Sequence, residues 1–143
     1  MFCSEVILMK DWEASYLAGI IDGEGSITLT RIHKNEHRRP CITIASTDKE
    51  LLEYVSSLTD GAILNKKNYN PEKHKDSYTL TIKKKEKVLE ILADIKEYLR
   101  VEKKKKRANW ILENYEKVTP RNGKYSSELL RQKLMFEERF FQI

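Results

Sequence analysis

The sequence has 143 residues, of which 40% are hydrophobic and 34% are charged, and its formal net charge is +5. This length predicts a single domain, residues 1–143, and the composition favours an ordinary soluble domain over a disordered or membrane-embedded chain. The positive balance suits a polyanionic partner such as a nucleic acid.

The first predicted element is a helix that begins at Trp12, with Asp11 as its N-cap, and ends at Gly23 or Gly25. Apolar residues recur in it at helical spacing and predict one core-facing side. That side consists of Tyr16, Leu17, Ile20 and Ile21.

Two strands and a second helix follow. Polar and apolar residues alternate over 26–32 and, after Pro40, over 41–46, which is typical of strands with one solvent-facing side. Asp48 is the expected N-cap of the next helix. The buried side of that helix is predicted to carry Leu51, Leu52, Val55 and Leu58.

The second half repeats the order strand, strand, helix. Strands are predicted over 62–68 and 77–82, and a helix over 86–98. Two further helices follow, the first around 108–115 and the second capped by Ser126. The second carries Leu129, Leu130, Leu134, Phe136 and Phe140. This order predicts an α+β fold with an αββαββα core, a four-stranded antiparallel sheet and C-terminal helices.

Two features bear on the compartment. Cys3 and Cys41 do not make a disulfide framework, which favours a reduced, intracellular protein. The apolar run 6–9 is too short to span a membrane and lacks the flanking features of a signal peptide. We therefore expect a cytoplasmic protein, or an organellar one if an organelle genome encodes it.

Gly19 and Gly23 lie four residues apart, on the same side of the first helix. Each glycine inside a helix costs about 1 kcal/mol relative to alanine, so a compensating contact is expected. Small residues at this spacing allow a second helix to approach closely. Because the segment occurs once, the expected partner is a second copy of the chain. The expected interface residues are Ser15, Ala18, Gly19, Asp22 and Gly23.

Asp22 and Glu24 lie at the end of this helix. If two copies cross there, two Glu24 carboxylates meet near one axis, and like charges so close need cations. Mg²⁺ prefers carboxylate and water oxygens, and two metals between carboxylates and phosphate oxygens are the common arrangement for phosphodiester hydrolysis.

Residues 17–25, with the sequence LAGIIDGEG, closely resemble the nine-residue signature of the LAGLIDADG homing endonucleases. Asp22 matches the first acid of the signature, and Glu24 matches the second, which in that family is the metal-binding catalytic carboxylate. The predicted order of elements over 12–117 also agrees with the αββαββα fold of the family.

The resemblance implies a site-specific endonuclease, typically intron-encoded, that cuts a long pseudo-palindromic site in double-stranded DNA and leaves short 3′ overhangs. The cofactor is expected to be Mg²⁺, with Mn²⁺ as a substitute, held at Glu24 and Gly23. One motif implies a homodimer, whereas family members with two motifs are longer and act as monomers.

The family pattern implies two more catalytic positions. Lys104 lies at the matching distance before Ala108 for the lysine that puts positive charge near the scissile phosphate. Lys103 is the alternative within the lysine run. Ser46 matches the polar residue that ends the second strand and orders water, although a serine that only caps the strand end is an equal reading. The additional arginine of the family has no clear counterpart, and Lys49 is a weak substitute.

In the family the sheet is a saddle that binds DNA, and an antiparallel ribbon fits the major groove. The polar strand positions and the basic loop residues are therefore expected to contact DNA, although Leu64 does not suit this polar face. The expected DNA-binding residues are Ser26, Thr28, Thr30, Arg31, Ile32, Lys34, Arg38, Arg39, Thr43, Lys66, Asn68, Ser77, Thr79 and Thr81.

Other functions stay open on the sequence alone. The same fold occurs in maturases, which bind intron RNA, and in transcription regulators that bind DNA without cutting it. A basic interaction domain of another kind is the third alternative. His33, His37 and His74 lack the spacing of zinc ligands, and no nucleotide-binding or catalytic-triad motif is present.

Overall fold

A computed structural model of the chain describes residues 9–143. Cys3 and most of the apolar run 6–9 lie outside these residues. The elements are α1 (Asp11–Glu24), β1 (Gly25–Thr30), β2 (Arg39–Ser46), α2 (Lys49–Thr59), β3 (Ala62–Asn65), β4 (Tyr78–Ile82), α3 (Lys85–Ile95), α4 (Glu102–Asn114), a 3-10 turn (Glu116–Val118) and α5 (Ser127–Phe141). No helix in the described part of the chain is long and apolar enough to cross a membrane.

The four strands form one antiparallel sheet in the order β1-β2-β4-β3. The predicted α+β fold with a four-stranded antiparallel sheet is confirmed. Two strands end earlier than predicted, β1 at Thr30 and β3 at Asn65, whereas β2 begins earlier, at Arg39. Five residues expected at the ends of the first and third strands therefore lie in loops, namely Arg31, Ile32, Lys66, Lys67 and Asn68.

The core lies between one face of the sheet and the helices. Alternate strand residues point into it and are buried, including Ile27, Ile42, Ile44 and Leu80. Helices α1 and α3 both pack against β2 and against each other. Burying one apolar side of each helix on one face of a sheet leaves the opposite sheet face free of helices.

The buried side of α1 differs from the prediction. Leu17 and Ile21 are fully buried as expected, but Ala18 is also fully buried, whereas Tyr16 is 51% exposed. Small alanine side chains let α1 approach the sheet closely, and a tyrosine ring would not fit in their place. The predicted N-cap is also wrong, because Lys10 occupies that position and its main-chain N–H donates to the Glu13 carboxylate at 3.0 Å.

The last helix begins as predicted, because the Ser126 hydroxyl oxygen accepts a hydrogen bond from the Leu129 N–H at 3.1 Å. Its buried side differs in part. Phe136 and Phe140 are buried, but Leu130 and Leu134 are exposed. Their places in the core contact are taken by two charged residues, Lys133 and Glu137, which are both buried.

Candidate functional site

Glu24 is the last residue of α1, and its side chain is exposed where the helix meets β1. The chain turns directly from helix to strand at Gly25. A Cβ atom on residue 25 would lie 2.7 Å from the Cα of Ile21, so only glycine allows this close junction. The junction therefore fixes the acid at the end of α1, next to the first strand of the sheet.

Asp22 serves the fold of its own chain. Its carboxylate accepts hydrogen bonds from the main-chain N–H groups of Arg100, at 2.8 Å, and Val101, at 3.1 Å. Val101 is the N-cap of α4, so a negative side chain lies at the positive end of that helix. These contacts engage both carboxylate oxygens within the chain, and the expectation that Asp22 also belongs to an interface between chains stays a prediction.

Lys104 makes the reverse connection, from α4 back to α1. Its ammonium donates to the carbonyl oxygens of Ile21 and Asp22, both at 2.7 Å. It caps the negative end of α1 and places a positive charge within two or three residues of Glu24. Lys103 is exposed, so Lys104 is the lysine of the run that contacts α1. Its role at a phosphate stays a prediction.

Arg107 extends this connection by one turn of α4. Its guanidinium donates to the carbonyl oxygen of Ile27 in β1 at 3.0 Å and lies 4.6 Å from the ring centre of Phe140. Burial lowers the pKa of this guanidinium. Helix α4 thereby holds the end of α1 and the start of β1 in one arrangement, which the sequence did not indicate.

The opposite side of α1 is largely uncovered within the described chain, and its one aromatic contact is with α2. We call it the open face of α1 and define it by Trp12, Tyr16, Gly19 and Gly23. Trp12 is 61% exposed, and a Cβ atom on either glycine would meet nothing within 4 Å. The Tyr16 ring packs edge-to-face on Tyr54 of α2, with 5.7 Å between the ring centres.

A shallow groove of about 460 Å³ runs along the open face of α1 to Glu24. Three of the predicted interface residues line this groove, namely Ser15, Gly19 and Gly23. Ala18 does not, because it is fully buried in the core of its own chain. The prediction for Ala18 is therefore wrong. Trp12, Tyr16 and Tyr54 lie together beside this groove and were not among the predicted interface residues, although the spacing of the first two by four residues indicates a shared helix side.

No three or more His, Cys, Asp or Glu side chains of residues 9–143 are grouped to hold a metal ion. Mg²⁺ does not need such a cage, because it keeps several waters and binds through one or two carboxylates and substrate phosphates. Glu24 fits this mode, since it is exposed and no ion pair among residues 9–143 uses its carboxylate. Such a site needs a second carboxylate or phosphate oxygens from outside the chain.

Ser46 is the predicted water-ordering residue. Its hydroxyl oxygen accepts a hydrogen bond from the Asp48 N–H at 3.0 Å, and the residue is only 8% exposed. This contact is the strand-end cap that the sequence left as the alternative. Asp48 is the N-cap of α2 as predicted, although its side chain makes no capping hydrogen bond. Lys49, the weak substitute for an arginine, lies 5.6 Å from the ring centre of Tyr78.

The helix-free face of the sheet carries the predicted polar residues. Ser26 of β1 pairs with Thr43 of β2, which pairs with Thr81 of β4, so these side chains form one row across three strands. Thr79 pairs with Ala45 and with Leu64, and Leu64 is 62% exposed. Thr28 and Thr30 continue this face along β1, opposite Cys41 and Arg39. We call this surface the polar sheet face.

Several predicted DNA-binding residues are engaged elsewhere. Arg38 lies 3.8 Å from the Glu137 carboxylate and 5.1 Å from the ring centre of Phe141, so it packs on α5. Arg39 pairs with Glu36 at 3.3 Å. These contacts hold the loop between β1 and β2 and compete with binding to a phosphate.

The loop between β3 and β4 has its own internal contacts. The Asn68 amide donates to the carbonyl oxygen of His74 at 2.8 Å and to the Asp76 carboxylate at 3.1 Å, and its oxygen accepts from the Asn70 N–H at 3.0 Å. These bonds hold the Asn68 side chain within its own loop, and its contact with DNA stays a prediction. Basic residues of both loops remain exposed, namely Arg31, Lys34, Lys66, Lys67, Lys73 and Lys75.

Residues 11–96, more than half of the chain, match the family model described as LAGLIDADG-like domain. A comparison with curated proteins found no match. The fold is similar to that of the homing endonuclease I-CvuI, solved in complex with its target. The two chains are 15% identical, with a TM-score of 0.72, and the match covers 92% of this chain and 82% of that one.

Two further solved structures define the extent of this similarity. The homing endonuclease I-TnaI is 18% identical, with a TM-score of 0.60, and 95% of this chain covers 96% of that one. The LAGLIDADG meganuclease I-AabMI, solved bound to uncleaved DNA, is 20% identical, with a TM-score of 0.59. Here 90% of this chain covers only 44% of that one. The chain thus matches less than half of the length of I-AabMI.

Proposed function

Because the chain belongs to the LAGLIDADG-like domain family and has the fold of LAGLIDADG homing endonucleases, we propose that it is a site-specific endonuclease that cuts both strands of DNA as a homodimer. The observation that carries this proposal is the position of Glu24. It is an exposed acid at the end of a helix whose outer side is open, next to the sheet that carries the polar sheet face.

The open face of α1 supports the homodimer. Two α1 helices that meet through Gly19 and Gly23 approach each other closely, since the outer side of each glycine has no atom of its own chain within 4 Å of a Cβ position. A twofold arrangement uses the same surface on both chains, so Trp12 and Tyr16 also bury apolar area on the partner. The two Glu24 carboxylates are then brought together at the end of the contact.

Glu24 of both chains, with Gly23 beside it, is proposed to hold Mg²⁺ together with phosphate oxygens of the DNA, and Mn²⁺ is expected to substitute. The metal supplies a Lewis acid and an activated water for phosphodiester hydrolysis. Within the chain, Lys104 holds the end of α1 and contributes positive charge beside the acid. Two of its three N–H donors are used by main-chain oxygens, so one is left for a phosphate or water oxygen.

The polar sheet face is proposed to lie in the major groove, where side-chain hydroxyls such as those of Ser26, Thr43 and Thr81 contact base edges. The exposed basic residues of the two loops then hold phosphates on either side. Two sheets related by a twofold axis favour a long pseudo-palindromic site, and the family pattern implies short 3′ overhangs.

The test is the substitution Glu24→Gln, which keeps the shape of the side chain and removes its charge. Cleavage is measured on a library of long randomised DNA duplexes with Mg²⁺, and DNA binding is measured separately with Ca²⁺. We expect wild-type protein to cut both strands and the variant to lose at least about 100-fold in rate while binding DNA normally. The matched control is Glu53→Gln, an exposed acid of α2, which should cut at the wild-type rate.

The outcomes separate the competing functions. Cleavage by the Glu24→Gln variant at the wild-type rate would show that this acid does not hold the metal. A wild-type protein that binds duplex DNA but never cuts it would be a DNA-binding regulator. A protein that binds structured intron RNA in preference to every duplex would be a maturase.

A further inference from the structure

A second pocket lies away from the Glu24 site, between the loop that joins β1 and β2, the segment after α4, and α5. Its volume is about 450 Å³, within the range of ligand pockets in proteins. It contains Lys133 of α5, which is only 1% exposed. A buried lysine is costly unless it is paired, so its contacts decide what the pocket can bind.

The Lys133 ammonium has few partners among residues 9–143. It donates to the hydroxyl oxygen of Thr119 at 2.7 Å and lies 4.3 Å from the ring centre of Tyr115. No carboxylate of the described residues forms an ion pair with it. An ammonium has three N–H donors, so two of them have no hydrogen-bond acceptor among the described residues. Burial lowers the pKa of Lys133 to about 8, while the negative charge of Glu137 acts in the opposite direction.

The buried acid on the same helix, Glu137, already contacts another residue. Glu137 lies one turn further along α5 and is 5% exposed. Its carboxylate accepts a hydrogen bond from the main-chain N–H of Arg38 at 3.1 Å and pairs with the Arg38 guanidinium at 3.8 Å. Its charge acts on Lys133 from a distance, but it forms no ion pair with the lysine, so Lys133 lines the pocket without a counter-ion in direct contact.

The remaining wall is also cationic. Arg38 and Arg39 line the pocket, and the only acid of its lining is Glu36, which pairs with Arg39 at 3.3 Å. Tyr115 and Tyr125 line the same wall, and each phenol hydroxyl can donate a hydrogen bond. A planar guanidinium, an ammonium and hydroxyl donors around one pocket are the groups that bind phosphate oxygens.

We propose that this pocket binds a phosphate group, with Lys133 as its central donor and Arg39 at its wall. The phosphate oxygens would accept hydrogen bonds from the two N–H groups of Lys133 that make no hydrogen bond to the described residues. Two sources supply such a group, a small phosphate-bearing molecule and a backbone phosphate of bound nucleic acid. The proposal does not depend on DNA cleavage, because a phosphate can bind whether or not Glu24 holds a metal.

The first experiment is a calorimetric titration of the full chain with inorganic phosphate. We expect saturable binding of one phosphate per chain. Lys133→Met keeps the length of the side chain and fits a buried position, and it should weaken binding at least tenfold. The matched control Lys124→Met makes the same charge change at an exposed position outside the pocket lining and should bind phosphate as the wild type does. If Lys133→Met does not fold, Arg39→Gln tests the same pocket from its wall and should weaken binding at least threefold.

The second experiment identifies the source of the phosphate. The affinity for a non-specific DNA duplex is measured over a range of salt concentrations. If the pocket holds a backbone phosphate, Lys133→Met lowers the slope of log affinity against log salt by about one per chain. If it holds a small molecule, the slope is unchanged while phosphate binding is lost. Absence of saturable phosphate binding by the wild type, together with an unchanged slope in the variant, would overturn the proposal.

Discussion

The two sides of α1 have opposite relations to the rest of the chain. On the inner side, Leu17, Ala18 and Ile21 are completely buried against the sheet and its helices. On the outer side, the open face of α1 carries two exposed aromatic rings and two glycines, and a Cβ atom on either glycine would meet nothing within 4 Å. A helix of a globular domain normally has one apolar side and one polar side. Here both sides are apolar, and only one is covered.

This difference divides the signature motif into two sets of residues. Leu17, Ala18, Ile21 and Asp22 stabilise the single chain, through core packing or through the cap on α4. Gly19, Gly23 and Glu24 make no such contact within it. The first set therefore specifies the fold, and we propose that the second set contributes to the contact with a second chain and to the reaction. Substitutions in the two sets should have different consequences.

The largest effect is expected from Gly19→Arg. A Cβ atom at residue 19 meets nothing within 4 Å, so an arginine is expected to be tolerated by its own chain, but it blocks the approach of a second helix and adds a charge on each side of the contact. We expect complete loss of double-strand cleavage with unchanged helix content by circular dichroism. Ala93→Arg, at an exposed position of α3, is the matched control and should retain cleavage. Cleavage by the Gly19→Arg variant at the control rate would contradict the role of this face.

Two neighbouring residues compare the sides directly. Leu17→Ala leaves a cavity in the core and should lower the free energy of unfolding by about 2–5 kcal/mol. Tyr16→Ala removes a ring from the open face and should change it by less than about 1 kcal/mol in the same assay. Both are measured by urea denaturation in the Gly19→Arg background, because association would add to the apparent stability. Equal losses for the two variants would mean that Tyr16 belongs to the core after all.

Asp22→Ala removes the cap on the first turn of α4. We expect a loss of about 1–2 kcal/mol in the free energy of unfolding in the Gly19→Arg background, because two main-chain N–H groups lose their acceptor. Asp22→Asn keeps one carbonyl oxygen and should lose less. If Asp22→Ala were as stable as its parent but failed to associate in an otherwise unchanged chain, this acid would belong to the interface and not to the fold.

Lys104→Met should have a small effect on stability and a separate effect on activity. It removes the charge at the end of α1, which is worth about 0.3–1 kcal/mol. If the lysine also supports the reaction, the cleavage rate at saturating DNA should fall at least about tenfold. A fall of this size is larger than the small loss of stability can explain. A variant that unfolds slightly more easily but cleaves at the wild-type rate would limit Lys104 to its structural role.

Much of the fold was predictable from local patterns. The alternation in 26–30 and 78–82 and the periodicity of α3 are strong signals, and they gave the order of the elements and the sheet. The position of Glu24 also followed from sequence, because it lies between a helical pattern and a strand pattern. The side of α1 that faces the core did not follow. Tyr16 and Ala18 are both acceptable in a core, and an apolar surface without a partner has the same pattern as a buried one.

The contacts between α1 and the start of α4 could not be predicted from the sequence, for a different reason. Asp22 binds main-chain groups 78 and 79 residues away, and Lys104 binds carbonyls 82 and 83 residues away. Neither pairing has a local signal, since each depends on how α4 packs on α1. The same holds for Arg38, whose partner Glu137 lies on α5. Because Arg38 is basic, the sequence predicted a contact with a phosphate, whereas in the fold its guanidinium lies beside the Glu137 carboxylate.

The central claim is that the open face of α1 is covered by a second copy of the chain. Sedimentation equilibrium of the DNA-free protein, at the concentrations used for cleavage, measures this directly. Wild-type protein is expected to have twice the mass of one chain, and Gly19→Arg the mass of one. A wild-type protein that remains a single chain under conditions in which it cuts both DNA strands would contradict the account.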